Sequence, residues 1–239
     1  GKSDLLIGLS LTDHTRSLIL RRFNDDARGL SDRAVQMVGN RNGLNGTTLE
    51  WRFPTAGRLI EFGGCQHEDD KQRYKGRPHS LIGFDEGADF TESQYDFITT
   101  WCRTTTEGER CRVVVASNPP TSAAGLWIIK RWGAWLDPNH PDPAIQGELR
   151  GYFRGEDGEE REVDGPGPYR LGDEMAWAKS RTFIRSKLSD NPDLAKTDSA
   201  ANLASLSVAL RDASTAGRVV LGPRGVPMQV VPRSWVWAG

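Results

Sequence analysis

The chain has 239 residues, a length that fits one large domain or a domain with a small appendage. Charged residues make up 26% and hydrophobic residues 37%, the balance of a soluble globular chain rather than a disordered one. A formal net charge of -1 excludes a global basic field, so any nucleic-acid contact has to come from a local patch.

The first predicted element is a helix over "KSDLLIGLSLTDH", where Leu5, Leu6, Ile7 and Leu9 recur without a proline. "RSLILRR", Arg16 to Arg22, is short, apolar and flanked by charge, which predicts a buried strand. "DRAVQMVG" reads as the end of a second helix closed by Gly39. "TLEWRF" and "RLIEFGG" alternate on either side of the turn-like "PTAG" and predict a β-hairpin. "SLIGFDE" is an apolar strand ending in two acids. In "TESQYDFITTWCR", Thr91 and Gln94 have capping-box spacing, and Tyr95, Ile98, Trp101 and Cys102 form a stripe, so a helix is expected. "RVVVASNPP" is a β-branched strand stopped by two prolines.

Strands alternating with helices imply an α/β fold with a largely parallel sheet. Ligands in such sheets sit beyond the carboxyl ends of the strands, where "GFDE" and "ASNPP" both fall. After Pro120 the character changes. "LWIIKRWGAWL" is aromatic and apolar, and "DPNHPDPAIQGELR" is a proline-punctuated loop. "LRGYFRGEDGEEREVDG" reads as strand, acidic turn and strand, and "SRTFIRSKL" as a further strand. "DSAANLASLSVALRDAS" has helical composition, and "LGPRGVPMQVVPRSWVWAG" reads as an extended tail. No apolar run approaches the roughly 20 residues that a bilayer span needs, and the first residues have no signal-peptide pattern. Cys65, Cys102 and Cys111 are odd in number and widely spaced, which fits free thiols in a reducing cytosol.

The chemistry-bearing stretch is "LIGFDE", Leu81 to Glu86. A hydrophobic strand ending in Asp-Glu is what a Walker B element requires. Asp85 would sit at the sheet edge to hold Mg²⁺ through water, and Glu86 would orient or deprotonate the attacking water. The plain alternative is an ordinary strand end, where such strings are common. Upstream, "GKS" leads straight into a helix, the position where a phosphate loop places its lysine and its Mg²⁺-binding hydroxyl. Downstream, Ser117 and Asn118 of "VVVASNPP" are small polar groups suited to a γ-phosphate. Three features in this order are much less frequent by chance than any one alone. "CQHEDDKQRY" fits no common zinc spacing and reads as a polar loop after a strand. Most of the eight tryptophans fall in apolar stretches and are expected in the core.

On these residues the chain resembles the ATPase domain of large terminase subunits, the DNA-packaging motors of tailed bacteriophages. The matching stretches are "GKSDLLIGLSL", "RSLILRR", "RLIEFGGCQHEDDKQRYKGRPHSLIGFDEGADFTESQYDFI", "CRVVVASNPPT", "GLWIIKRWGAWLDPNHP", "SRTFIRSKLSDNPDL" and "VVPRSWV", which run the length of the chain. The resemblance implies an additional-strand, conserved-glutamate P-loop NTPase. It implies an ATPase core over 1–126, a small lid with a β-hairpin over 127–190, and a helix and linker toward a nuclease domain over 191–239. Gly1, Lys2 and Ser3 would contact ATP, with Lys2 on the β- and γ-phosphates. Ser3 and Asp85 would hold Mg²⁺, and Glu86 would be the catalytic carboxylate. Ser117 and Asn118 would couple the γ-phosphate state to DNA movement.

In "RYKGRPHS" the family's Arg-Gly is replaced by Lys75-Gly76, with Arg73 and Arg77 nearby. Arg77 ranks first as the arginine that stabilises phosphoryl transfer, in cis or from a neighbouring subunit; the alternative is that both arginines are solvated residues before a strand. The implied partners are double-stranded DNA, a portal protein, a small terminase subunit and further copies in a ring. The implied setting is the cytoplasm of an infected bacterial host, with no membrane contact. The resemblance also implies a chain truncated at both ends: the pattern G-x-x-x-x-G-K-[ST] would need five residues before Gly1, and no acidic nuclease cluster follows Asp198. Such a fragment is expected to hydrolyse ATP slowly or not at all. Another P-loop translocase or helicase, or a non-catalytic prophage remnant, are the competing readings.

Overall fold

β1 (Arg16–Arg21) is the strand around which the sheet is laid; its residues Ser17 to Leu20 are all buried. A strand covered on both faces needs a near-continuous apolar run, and "SLIL" supplies it. The computed structural model describes residues 1–120 and 122–186. β4 (Arg58–Gly64) pairs parallel with β1 on one side, from Arg16↔Leu59 to Arg21↔Gly64. On the other side lies β5 (Leu81–Asp85), also parallel, from Ser17↔Leu81 to Leu20↔Phe84. β6 (Arg112–Ala116) continues the parallel set beside β5, with Asp85 opposite Ala116. Antiparallel β3 (Glu50–Phe53) and the two-residue β2 (Leu44–Asn45) extend the other edge, giving the order β2-β3-β4-β1-β5-β6. The sheet is largely parallel, as the sequence leads one to expect, and the β3–β4 hairpin adds antiparallel pairs at one edge. That hairpin forms where "TLEWRF" and "RLIEFGG" predict it, with Phe53 opposite Arg58.

Helices cover both faces. α1 (Lys2–Thr12) and α2 (Asn24–Val38) place Leu6, Ile7, Leu30 and Ala34 against Ile19, Ile60 and Phe62. α3 (Glu92–Thr99) and a 3₁₀ segment, Glu68–Tyr74, place Ile98 and Tyr74 against Leu18, Leu20, Ile82 and Phe84. The split follows from strand alternation, which sends neighbouring residues to opposite faces. Each fully buried Leu, Ile or Phe contributes about 1.5–3 kcal/mol before chain entropy is subtracted. α2 buries Ala27, Leu30, Ser31 and Ala34 at helical spacing and ends at Gly39, whose N–H donates to Val35 O at 2.8 Å. α3 begins with the capping box that its spacing predicts. Thr91 Oγ1 accepts the Gln94 N–H at 3.1 Å, and Gln94 Oε1 accepts the Thr91 N–H at 3.1 Å. The helix stops at Thr99, so Trp101 and Cys102 of the expected stripe lie beyond it, with Cys102 in a parallel bridge to His79.

Beyond β6 the aromatic run forms two short helices, α4 (Trp127–Arg131) and α5 (Gly133–Leu136). β7 (Arg150–Arg154) and β8 (Glu160–Val163) pair antiparallel across the acidic turn. β11 (Lys179–Arg181), reduced to three residues from the longer strand expected, joins the same sheet through β7. Between them β9 (Tyr169–Leu171) and β10 (Glu174–Ala176) form a small hairpin with no alternation long enough to announce it. This part is tied to α3 by Arg131, whose guanidinium lies 2.8 Å from Asp96 and 4.6 Å over the Tyr95 ring. Arg154 of β7 reaches the same Asp96 at 3.1 Å. The helix expected over 198–214 and the tail over 221–239 lie outside the described residues. Among the described residues no helix is long and apolar enough to cross a membrane.

Candidate functional site

The carboxyl end of β5 and the first turn of α1 meet at one point. All five residues of β5 are buried, and Asp85 ends it with no exposed surface. α1 lies close against this strand because Gly83 has no side chain: a Cβ there would stand 3.1 Å from Leu6 Cδ2. The helix start is thereby brought to the strand end, and Ser3 Oγ donates to Asp85 Oδ2 at 2.9 Å. Arg21, the last residue of β1, donates to the same oxygen through Nε at 2.7 Å. The other oxygen, Oδ1, is buried and meets no hydrogen-bond donor. A buried carboxylate needs its charge compensated, and the Arg21 guanidinium does so here.

A second chain of contacts runs beside the first. Lys2 Nζ donates to Asn118 Oδ1, and Asn118 Nδ2 donates to Glu86 Oε2 at 3.2 Å. Register explains the meeting: Asp85 is opposite Ala116, so Glu86 and the Ser117-Asn118 pair leave the sheet side by side. Ser117 Oγ accepts the Ala88 N–H at 3.0 Å, which ties the two strand ends together. Glu86 has φ 54, a left-handed conformation that costs a non-glycine residue free energy and clusters at functional sites. Gly87 follows it because the backbone there runs against β6: a Cβ would stand 2.3 Å from Val115 Cγ1. Lys2, Ser3, Asp85, Glu86, Ser117 and Asn118 are thus gathered at one sheet edge, with Gly1 as the N-cap of α1.

Arg77 and Arg73 are not brought to that edge. Arg77 is ion-paired with Glu61, with Glu50 3.6 Å away, and Arg73 pairs with Asp70 at 3.0 Å. Glu61 alternates with Ile60 and Phe62, so its side chain lies on the α3 face, whereas Asp85 shares the α1 face with Gly83. Glu61 is also level with Ile82, about 10 Å along the strands before Asp85. Burial alone would raise the Glu61 carboxyl, but His79 and the flanking arginines overcome it and hold the group down to about 2.

"CQHEDDKQRY" forms the 3₁₀ segment rather than an open loop: the His67 N–H donates to Asp70 Oδ2 at 2.8 Å, and Gln94 Nε2 donates to His67 O at 2.9 Å. Cys65 is buried, and burial pushes its thiol up to about 12, away from metal-ligand or nucleophile character. Among the described residues no group of three or more His, Cys, Asp or Glu is arranged to hold a metal ion. A cation at the β5 edge would therefore be held by few protein groups. The unpartnered Asp85 Oδ1 and the Ser3 hydroxyl fit Mg²⁺, which keeps most of its ligands as water or phosphate oxygen. Trp51, Trp127 and Trp135 are buried as expected of core residues, but Trp177 is 64% exposed.

Sequence reasoning missed Arg21. Its signal was present as a basic residue closing an apolar strand, yet only the pairing of β1 with β5 puts it on Asp85. No protein-family model matches the chain, and no curated protein does.

Proposed function

We propose that the chain is the ATPase motor domain of a viral large terminase, a P-loop NTPase of the additional-strand, conserved-glutamate type. In the intact motor this domain hydrolyses ATP to drive double-stranded DNA into a procapsid. The observation that carries this reading is the meeting of Lys2 and Ser3, at the start of α1, with Asp85, Glu86 and Asn118 at the ends of β5 and β6. A helix start offers free N–H groups and a positive dipole end to phosphates. Lys2 adds a mobile positive charge, and its contact with Asn118 is exchanged for the β- and γ-phosphates. Ser3 and Asp85 would hold Mg²⁺, which would supply positive charge to the phosphate oxygens. Glu86 orients the attacking water and accepts its proton. Asn118, hydrogen-bonded to both Glu86 and Lys2, registers the presence of the γ-phosphate. Ser117 passes that state through the Ala88 N–H to the backbone after β5. Glu86 is already in a strained backbone conformation, which fixes its direction before substrate arrives.

Packaging implies contact with the phosphate backbone of DNA, because the sequence is not read along its course. Portal ring, small terminase subunit and neighbouring copies are the proposed partners, in the cytoplasm of an infected bacterium. The proposed arginine finger, Arg77, reaches a phosphate only by leaving Glu61, or by serving a neighbouring copy in the ring.

Two variants test the core assignment. In the intact motor, Glu86→Gln abolishes single-turnover ATP hydrolysis, by about 10³-fold or more, and retains binding of a fluorescent ATP analogue. Lys2→Ala weakens that binding about tenfold or more. Hydrolysis by Glu86→Gln at the unaltered rate would remove Glu86 from the reaction.

A further inference from the structure

The two oxygens of Asp85 have unequal surroundings. Oδ2 accepts from Ser3 Oγ at 2.9 Å and from Arg21 Nε at 2.7 Å, and a second guanidinium nitrogen of Arg21 also stands 2.7 Å away. Oδ1 is buried and unpartnered. The inequality has a cost, since a buried oxygen without a donor forfeits its hydration. The fold nevertheless places the arginine on the oxygen that already has a partner. The directional Nε–H bond of a planar guanidinium, with a second nitrogen close to the same oxygen, restricts rotation of the carboxylate more than a single ammonium does. Arg21 itself is held by its strand, because β1 and β5 are paired up to Leu20↔Phe84. Its side chain is 27% exposed and Asp85 1%, so this ion pair lies at the boundary of the core.

The geometry points to Arg21 as the positioning residue of the cation site: it saturates Asp85 Oδ2, fixes the carboxylate plane and leaves Oδ1 as the ligand for the divalent ion. The inference rests on the nucleotide reading above and adds to it a residue outside "GKS", "LIGFDE" and "ASNPP". Without the ion, the same contact neutralises the buried Asp85 charge. With it, Arg21 acts through Asp85 and touches neither metal nor phosphate. Outer partners of metal ligands typically alter affinity by about 10- to 100-fold when removed.

The test uses Mn²⁺ as the probe, with uptake read by electron paramagnetic resonance in the presence of ATP. Arg21→Ala raises the Mn²⁺ half-saturation about tenfold and leaves metal-free binding of a fluorescent ATP analogue unchanged, and Arg21→Lys recovers only part of the loss. In metal-free buffer Arg21→Ala also lowers the melting midpoint by about 5 °C, and that loss largely disappears in an Asp85→Asn background. Because Arg21→Lys keeps the charge, it carries the metal measurement if Arg21→Ala does not fold. An unmoved Mn²⁺ half-saturation in Arg21→Ala, or in Arg21→Lys where that variant stands in, would overturn the inference alone. So would a melting loss that persists beside Asp85→Asn. Failure of the unaltered chain to take up either ATP or Mn²⁺ would bring down the nucleotide reading as well, so the two failures are separable.

Discussion

Two buried carboxylates in this molecule lie beneath arginines, and they are finished differently. Glu61, on β4, uses both oxygens: Oε1 is 3.1 Å from Arg16 and 3.3 Å from His79, and Oε2 is paired with Arg77. Asp85, at the end of β5, has every contact on Oδ2 and leaves Oδ1 bare. Proteins satisfy most of their buried polar atoms, and of these four carboxylate oxygens Asp85 Oδ1 is the one left without a donor. The surroundings agree. Glu61 sits amid the strands of the sheet, level with Ile82, whereas Asp85 is at the carboxyl edge beside a helix start and a strained Glu86. The cluster of Glu61 with two arginines and a histidine ties β1 and β4 to the segment before β5 in this structure. The sparser group is the better candidate for chemistry.

The contrast can be broken from the structural side first. Glu61→Gln strands Arg16, Arg77 and the buried His79 without their acid. A loss of about 3 kcal/mol in urea unfolding is expected, with ATP binding per folded molecule unchanged. The same group sets a pH dependence. Its folded pKa is depressed to about 2 from an ordinary 4.5, so its stabilisation is complete above the ordinary value and is lost as pH falls from there toward 2. Urea midpoints measured across that window should fall in the unaltered chain, by about 3 kcal/mol in all, and lose this component in Glu61→Gln. A smaller effect sharpens the comparison. Arg77→Ala leaves Glu61 with Arg16 and His79, and Arg77 is 37% exposed, so about 1 kcal/mol is expected once solvent screening is allowed for. Single-turnover hydrolysis by a monomer of the intact motor should stay within about threefold. A larger drop would mean that Arg77 leaves Glu61 during the reaction.

Local signals in the sequence account for the elements that build the candidate site. α1, β1, β5 and β6 are legible because apolar runs of strand and helix length are bounded by charge, glycine and proline, and α3 because Thr91 and Gln94 cap it. What was not legible depends on faces and register. Nothing local tells that Arg77 falls on the face opposite Asp85, or that Arg21 and Asp85, 64 positions apart, share an oxygen. The β9–β10 hairpin has strands of three residues, too short for alternation to register. The Glu68–Tyr74 turn reads as a polar loop because its order comes from side chains reaching back to the backbone, as from Gln94 to His67 O. Helix α3 ends before the stripe does, because Trp101 and Cys102 are taken up by the bridge to His79.

The central claim is that the Asp85 carboxylate, with Ser3 beside it, forms a cation and nucleotide site, and the most direct measurement is calorimetric titration of ATP with and without Mg²⁺. The unaltered chain should bind ATP at least about tenfold more tightly with Mg²⁺, and Asp85→Asn should remove that difference while keeping the fold. Equal Mg²⁺ dependence in the two proteins would contradict the claim.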